Sequence, residues 1–301
     1  MNMEFLSQYK LYLDAINDAL EKEFSVPDLA QKQVFEAMRY GVLGGGKRIR
    51  PVLTMAVSDM LGGSRADALR VGCAVECIHS YSLIHDDLPC MDDDDLRRGR
   101  PTCHKVFPEN IALLAGDGLL NRAFELLSDK RPYERMRTDA VLAVIRAVSG
   151  ASGAYGMIGG QVIDLSCENR TDVTLPLLQE MHAKKTGALI RVSALCGCLC
   201  AGILDETDKK YQKILQFSAK LGLAFQIKDD ILDVIGKEDV IGKPVGSDAK
   251  SHKNTFVTLM GQEAAEKELQ RLTEEAKAAL SGMEDTAFLL SFAEYLLNRE
   301  Y

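Results

Sequence analysis

Residues 69–87 of the chain read LRVGCAVECIHSYSLIHDD, and their apolar side chains recur at the three- and four-residue spacing of an α-helix. Strand-like alternation is nearly absent from the chain. The pattern therefore predicts an all-α protein. Several helical segments are apolar nearly all round, which places them inside a large bundle or against another subunit. The other segments with the helical period are residues 111–127, 138–150, 177–197, 213–235 and 264–283.

The breaks between these segments are short and rich in turn residues, as in GGSRAD (62–67), SDKRPYER (128–135) and ENRTDVTLP (168–176). None of them has the composition of a long interdomain linker. We therefore predict a single domain over residues 1–301.

Composition excludes several classes of protein. The 301 residues carry a formal net charge of −8, and the basic residues lie in short motifs, which argues against a nucleic-acid partner. The first residues lack the basic-then-apolar order of a signal peptide, and we expect no apolar run to reach the about 20 residues of a membrane span. Eight cysteines without paired metal spacing fit a reducing compartment, so we expect a cytoplasmic protein. Cys196, Cys198 and Cys200 allow a metal site, but on a helix Cys198 faces elsewhere, which favours helix packing.

Acidic residues are concentrated in residues 82–100, SLIHDDLPCMDDDDLRRGR. Asp86 and Asp87 occupy the last turn of the predicted helix, Pro89 stops regular helix soon afterwards, and Asp92 follows on a turn. We interpret residues 93–95 as solvated or supporting acids rather than ligands. A solvated loop is the ordinary interpretation of such a charge run, but the apolar helix before it argues against that interpretation here.

A second acidic cluster lies in residues 225–236, FQIKDDILDVIG. Asp229 and Asp233 are i, i+4 neighbours on one helix face, with Asp230 beside them in an apolar segment. Carboxylates in such a segment repel one another and lose hydration unless a cation compensates them. Oxygen-only ligation by a few carboxylates is what Mg²⁺ favours, with water and phosphate completing its shell. The two clusters together predict a site that holds a diphosphate through bridging metal ions.

Positive charge occurs in short motifs that suit the same ligand. In GGGKRIRP (44–51), glycines let the backbone approach an anion beside Lys47 and Arg50. Further basic and hydroxyl groups that suit a polyphosphate are Arg97, Arg98, Lys185, Thr186, Lys243 and Lys253.

At these residues the chain resembles the short-chain trans-prenyl diphosphate synthases, and most closely the bacterial farnesyl type. The resemblance covers nearly the whole chain and rests on GGGKRIRP, CIHSYSLIHDDLPCMDDDDLRRGRPTCH, AGDGLL, GGQVIDL, HAKKTGALI, FQIKDDILDVIG and GKPVGSD, in that order. It implies an isoprenoid synthase-type bundle of about ten core helices around a deep apolar cavity. It also implies a homodimer, with the two aspartate motifs facing each other at the mouth of the cavity.

The resemblance implies a reaction and its ligands. Isopentenyl diphosphate condenses with dimethylallyl diphosphate and then geranyl diphosphate to give farnesyl diphosphate, with geranylgeranyl diphosphate as the alternative product. Mg²⁺ is the implied cofactor, with three ions per site when substrate is bound and Mn²⁺ as a substitute.

The resemblance also divides the site residues by role. The metal ligands are Asp86, Asp87, Asp92 and Asp229, with Asp230 and Asp233 supporting and Lys185 among the catalytic residues. The allylic diphosphate contacts are Arg97, Lys185, Thr186, Gln226, Lys243 and Lys253. The isopentenyl diphosphate contacts are Gly46, Lys47, Arg50, His79 and Arg98. The lysines and glycines of residues 236–254 predict a lid that orders over bound diphosphate.

Product length is assigned to Tyr81, with the small Ser82 beside it. Tyr81 lies five residues before Asp86, which on a helix is about 7.5 Å along the axis, so its ring can form the floor of the pocket. By resemblance, an aromatic residue here, together with Pro89 and Cys90 in the first motif, is typical of bacterial farnesyl synthases.

Other functions fit the motifs less well. The sequence HDD at His85 suggests an HD-type phosphohydrolase, but we find no further histidines at matching helical positions. A regulatory partner on the same bundle would be expected to lack intact aspartate motifs, and a terpene cyclase would usually replace the second one. The intact DDILD (229–233) argues against both.

Overall fold

The computed structural model describes residues 2–168, 170–235 and 254–297. Lys243 and Lys253, and all of the predicted lid except Asn254, lie outside these ranges. The described chain is helical, as predicted, with one two-stranded ribbon. In chain order the elements are α1 Met3–Glu23, α2 Lys32–Val42, α3 Ile49–Met60, α4 Arg65–Asp86, β1 Leu96–Arg97, β2 Arg100–Pro101, α5 Cys103–Val106, α6 Glu109–Ser128, α7 Thr138–Ser152, α8 Met157–Cys167, α9 Leu175–His182, π1 Ala183–Gly187, α10 Ala188–Cys200, α11 Lys209–Ile235, α12 Phe256–Met260, α13 Gln262–Ala279 and α14 Ala287–Leu297.

Helix α4 runs through the main core and ends at the first acidic motif. The Ser64 side chain caps its N-terminus by accepting a hydrogen bond from the backbone N–H of Asp67. Asp67 is buried and accepts from the backbone N–H groups of Glu134, Arg135 and Met136 at 2.7–2.9 Å. The break between α6 and α7 is thereby fixed against the start of α4.

Close packing of α10 against α3 and α11 depends on small residues. A Cβ atom at Gly197 would lie 2.8 Å from the carbonyl oxygen of Thr54, and one at Gly222 would lie 3.2 Å from the Cα of Gly187. Cys196, Cys198 and Cys200 are all buried in this part of the main core. These three thiols therefore occupy packing positions on α10.

The ribbon follows the first acidic motif directly. Leu96 pairs with Pro101, and Arg97 pairs with Arg100. The two turn residues, Arg98 and Gly99, have φ values of 54° and 71°, the left-handed geometry of a tight hairpin. The turn therefore holds Arg97 and Arg98 close to the end of α4.

One stretch, Thr138–Cys167, is long and apolar enough to cross a membrane by length and composition, since an 18-residue window within it has a mean hydropathy of 1.4. This corrects the expectation that no apolar run reaches that length. Core helices of soluble proteins pass the same test, so a single stretch is weak evidence for a span. In the structure it is divided into α7 and α8 by a turn at residues 153–156.

Candidate active site

The first acidic motif folds back on the end of α4. Asp86 is the last residue of the helix, and the backbone N–H of Asp92 donates to the carbonyl oxygen of Asp86 at 2.9 Å. The backbone N–H of Asp93 donates to Leu88 at 3.2 Å, and Asp93 has a φ of 49°. This turn brings Asp92 back toward Asp86, as the proline break predicts.

Asp87 is almost fully buried and is held by the ribbon. The Arg97 Nε atom donates to its two carboxylate oxygens at 2.7 and 2.9 Å, and Arg97 Nη2 lies 2.5 Å from Oδ1. Such a forked pair fixes both side chains. The structure therefore joins a predicted metal ligand directly to a predicted diphosphate contact.

Asp86 lies where a negative charge is costly. Burial raises the pKa of its carboxyl to about 6; Lys185 and Arg97 oppose this rise, while Asp92 and Asp87 reinforce it. A partly buried carboxylate with two acidic neighbours gains from a nearby cation. The interaction with Lys185 also shows that the first motif and π1 face the same space.

Lys185 is carried by π1, a short π-helical segment of the kind often found at functional sites. Its Nζ atom lies 2.5 Å from Asp164 Oδ2 on α8. Gly160 makes this approach possible, because a Cβ atom there would lie 2.1 Å from the backbone nitrogen of Lys185. The GGQVIDL motif contains both Gly160 and Asp164, but its pattern alone does not assign Asp164 to the site.

The second acidic motif lies at the end of α11 and is tied to π1 through Gln226. Thr186 Oγ1 donates to Gln226 Oε1 at 2.9 Å, and Gln226 Nε2 donates to Asp230 Oδ1 at 3.0 Å. The other oxygen of Asp230 accepts from the backbone N–H of Phe256 at 2.8 Å. Asp230 is buried, and these two contacts tie α11 to Gln226 and to the start of α12.

Arg50 connects the cationic residues with the second motif. Burial lowers the pKa of Arg50 to about 10; Glu76 and Asp229 oppose that change, and Arg98 adds to it. The Nε atom of Arg50 is buried and has no hydrogen-bond partner within the described ranges. A phosphate oxygen would satisfy such a donor.

His79 is surrounded by arginines. Its pKa lies well below the usual value because it is buried and because Arg50, Arg98, Arg97 and Arg48 repel a further positive charge. The ring is therefore neutral at physiological pH. A neutral imidazole can still donate one hydrogen bond to a phosphate oxygen.

Arg98 packs directly on the glycine loop before α3. Its guanidinium donates to the carbonyl oxygen of Gly45, and a Cβ atom at Gly46 would lie 2.4 Å from Arg98 Nη1. Gly46 also has a φ of 115°, which L residues rarely adopt. Gly46 and Arg98, predicted to share one ligand, are therefore in contact.

The donor chemistry around Asp86 fits a hard divalent cation. Asp86, Asp87 and Asp92 supply carboxylate oxygens, and burial together with the charges of Asp92 and Asp87 makes a negative charge on Asp86 costly, which a bound cation would offset. Across the three described ranges, no group of three or more His, Cys, Asp or Glu side chains already has the spacing of a metal site. Metal ligation by the aspartates, including Asp229 and Asp233, is therefore still a prediction.

Tyr81 is buried on α4, one turn before His85. The two rings meet edge to face with centroids 5.6 Å apart. Burial, followed by the charge of Asp86, raises the pKa of the phenol to about 12, and its hydroxyl has no hydrogen-bond partner in the described part of the chain. Ser82 donates to the carbonyl oxygen of His79 at 2.9 Å. The effect of the Asp86 charge on Tyr81 agrees with their spacing of five residues along α4.

His85 is used in helix packing. Its Nε2 atom lies 3.0 Å from the carbonyl oxygen of Leu113, and a Cβ atom at Gly116 would lie 2.1 Å from the same nitrogen. Gly116 of the AGDGLL motif therefore leaves the space that the His85 ring occupies. His85 thus contacts α6 rather than a second histidine.

A cavity of about 870 Å³ forms a groove between α7, α10 and the start of α11. It is lined by Lys184 of π1 but by none of the predicted site residues. A cleft of about 50 Å³ lies beside Asp87, Arg97 and Arg98. The chemistry of the side chains, rather than cavity size, therefore locates the candidate site, and a deep apolar pocket between the two motifs is still a prediction.

Comparison with known proteins gives one family. The polyprenyl synthetase family model matches residues 31–289. The chain is 42% identical over 279 residues to the farnesyl diphosphate synthase of Bacillus subtilis, covering 93% of this chain and 91% of that protein. It is 40% identical over 287 residues to the geranylgeranyl diphosphate synthase of Cyanophora paradoxa, covering 95% and 93%.

A solved structure extends the likeness to three dimensions. The crystal structure of a geranyltransferase from Helicobacter pylori, in complex with magnesium and isoprenyl diphosphate, superposes with a TM-score of 0.85 at 35% sequence identity. The match covers 99% of this chain and 98% of that one.

Proposed function

The chain belongs to the polyprenyl synthetase family and is a prenyltransferase that condenses isopentenyl diphosphate with allylic diphosphates, and we propose that its product is farnesyl diphosphate. The primers are then dimethylallyl and geranyl diphosphate. The observation that carries the proposal is Tyr81, a buried aromatic ring on α4 five residues before Asp86. Relatives bear both the farnesyl and the geranylgeranyl name, so geranylgeranyl diphosphate is the second candidate product.

The first step is ionisation of the allylic substrate. The carbon–oxygen bond breaks and its electron pair leaves with the diphosphate, so charge develops on the leaving oxygens. We assign Lys185, Arg97 and Thr186 to bind them, because preorganised cations stabilise the charge more in the transition state than in the substrate. Asp164 and Asp87 orient the first two of these side chains.

The second step forms the new carbon–carbon bond. The double bond of isopentenyl diphosphate supplies the electron pair that attacks the allylic cation, and a proton is then lost to give a chain longer by one isoprene unit. We assign Lys47, Arg50, neutral His79, Arg98 and the Gly46 backbone to the diphosphate of this substrate. No side chain in this arrangement is a strong base, which leaves the released diphosphate as the proton acceptor.

We assign Mg²⁺ to the carboxylates of Asp86, Asp87, Asp92 and Asp229, with three ions in the substrate complex and Mn²⁺ as a substitute. The bound metal would neutralise the leaving diphosphate as a Lewis acid. Support comes from the buried, acid-rich surroundings of Asp86 and from the magnesium in the H. pylori relative. Asp230 and Asp233 support this set, and Lys243 and Lys253 are assigned to the diphosphate by resemblance alone.

We further propose that the protein is a single-domain cytoplasmic homodimer. Large apolar side chains on α6 and α7 are exposed in the isolated chain, namely Leu113, Leu114 and Leu142. Exposed apolar residues on neighbouring helices suit a second copy of the chain. Light scattering of the purified protein should give twice the chain mass, and a monomer would contradict the dimer.

The product assignment is tested with radiolabelled isopentenyl diphosphate and each allylic primer in turn. The alcohols released after dephosphorylation are sized by chromatography. Farnesol as the longest major product from dimethylallyl and geranyl primers supports the proposal. Geranylgeraniol as the major product would select the second candidate.

A further inference from the structure

Glu76 is a buried acid on α4 that the reaction described above does not use. Its side chain is only 3% exposed, and its Oε1 atom accepts a hydrogen bond from Arg48 Nη1 at 2.9 Å. Its Oε2 atom is buried and accepts no hydrogen bond within the described residues. Glu76 lies three residues before His79, one helical turn away on the same helix.

Arg48 has a backbone conformation that has to be held in place. Its φ and ψ of 47° and 38° are left-handed, which is uncommon for a residue with a side chain. It is the N-cap residue of α3, between Lys47 and Arg50, and its Nε donates to Asn17 at 3.1 Å. The buried guanidinium is thus fixed by Glu76 on one side and by Asn17 on the other. A residue held in this way fixes the direction of the loop on either side of it.

The surroundings of Glu76 are strongly positive. Besides the direct pair with Arg48, its charge acts on Arg50 and Arg98. A cluster of buried arginines repels itself unless an acid offsets part of its charge. Among the described residues Oε2 has no hydrogen-bond partner, so the carboxylate can accept further hydrogen bonds besides the one from Arg48.

We propose that Glu76 is a positioning residue, which through Arg48 holds the glycine loop so that Lys47 and Arg50 are preorganised for the diphosphate of isopentenyl diphosphate. This inference rests on the proposed function, because it assumes that Lys47 and Arg50 bind that substrate. Glu76 touches neither substrate nor metal in this account. Its effect is on the loop, and the loop acts on one of the two substrates.

A merely structural role would make a different prediction. Asp67, on the same helix, is also a buried acid, but it accepts from backbone N–H groups of the connection between α6 and α7, which contains none of the predicted site residues. Losing Asp67 should lower stability without selecting between substrates. Losing Glu76 should raise the KM for isopentenyl diphosphate selectively. Asp67→Asn is therefore the matched control for Glu76→Gln.

The test is steady-state kinetics of the full chain, with both substrates varied. For Glu76→Gln we expect the KM for isopentenyl diphosphate to rise about 10- to 100-fold, the scale for losing a residue that orients a ligand, with the KM for geranyl diphosphate within about twofold of wild type. Asp67→Asn should keep both KM values. Equal changes in both KM values of Glu76→Gln, or no change, would overturn the proposal.

A second variant covers the case in which Glu76→Gln does not fold. In Glu76→Gln/Arg48→Met, the buried charge pair is removed as a unit, which avoids leaving one charge unpaired. This variant should again raise the KM for isopentenyl diphosphate alone, by about the same 10- to 100-fold. A KM equal to that of wild type would refute positioning through Arg48. Wild-type turnover with these substrates is measured in the same assay, so failure of the proposed function is seen separately.

Discussion

Asp86 should make the metal-free protein less stable than it would be with a neutral residue. Burial raises the pKa of its carboxyl from 3.8 to about 6, against the opposing charges of Lys185 and Arg97. In the unfolded chain the carboxyl keeps its ordinary pKa. Between these two values the folded state binds more protons, so the free energy of unfolding falls as the pH rises through this window.

The size of the effect follows from the shift. A rise from 3.8 to about 6, at about 1.4 kcal/mol per pKa unit, gives at most about 3 kcal/mol above pH 6. Asp86→Asn keeps the shape of the side chain and removes the charge. In EDTA at pH 7 we therefore expect Asp86→Asn to be more stable than wild type by up to about 3 kcal/mol, with the difference vanishing below about pH 4. Its turnover with magnesium should fall roughly 10²-fold, because a preorganised electrostatic group is lost.

The assay is urea unfolding at several pH values between 4 and 7, in EDTA. Asp67→Asn is the control with the opposite sign, since an amide cannot accept from all three N–H groups that Asp67 holds, at a cost of about 1–3 kcal/mol. A variant Asp86→Asn that is no more stable than wild type at pH 7, or whose advantage does not depend on pH, would refute the reasoning.

Three further predictions concern product length, helix packing and the second motif. Truncating the buried ring in Tyr81→Ala opens apolar volume that another isoprene unit can fill, and burying that unit should stabilise the longer product by about 1–3 kcal/mol. The alcohols released from the products should therefore shift to longer chains. Products that still end at farnesol would exclude Tyr81 as the floor of the pocket. Gly160→Ala should push π1 away from α8 and lower both the melting temperature and the turnover. Gly150→Ala is the matched control: nothing lies within 4 Å of the added Cβ, so it should stabilise α7 by about 1 kcal/mol. Equal melting temperatures of the two variants would contradict the packing argument. Asp229→Ala should lower turnover roughly 10²-fold with the fold intact, and near-normal activity at limiting magnesium would contradict a metal site shared by both motifs.

The helical fold and the acidic motifs can be predicted from sequence because both are local patterns. The period of residues 69–87 predicts α4, and the break at Pro89 predicts the turn that returns Asp92 to Asp86. The ordered motifs also predict the family, which the comparisons confirm.

Contacts between distant helices could not be predicted in the same way. Asp164 pairs with Lys185 only because a π-helical segment and Gly160 bring α8 and π1 together. The Arg48–Glu76 pair depends on a left-handed arginine, for which the sequence carries no signal other than the glycines before it. The bond from the Phe256 backbone to Asp230 could not be predicted either, because it depends on where the chain returns after the second motif.

The most direct test of the account is the product made from labelled isopentenyl diphosphate and geranyl diphosphate by the purified wild-type protein with magnesium. Condensation of the two substrates tests the site, and the length of the product tests the role of Tyr81. The account predicts farnesyl diphosphate as the major product and no condensation in EDTA. Geranylgeranyl diphosphate as the major product would contradict the farnesyl assignment, and condensation that persists without a divalent cation would contradict the metal-assisted mechanism.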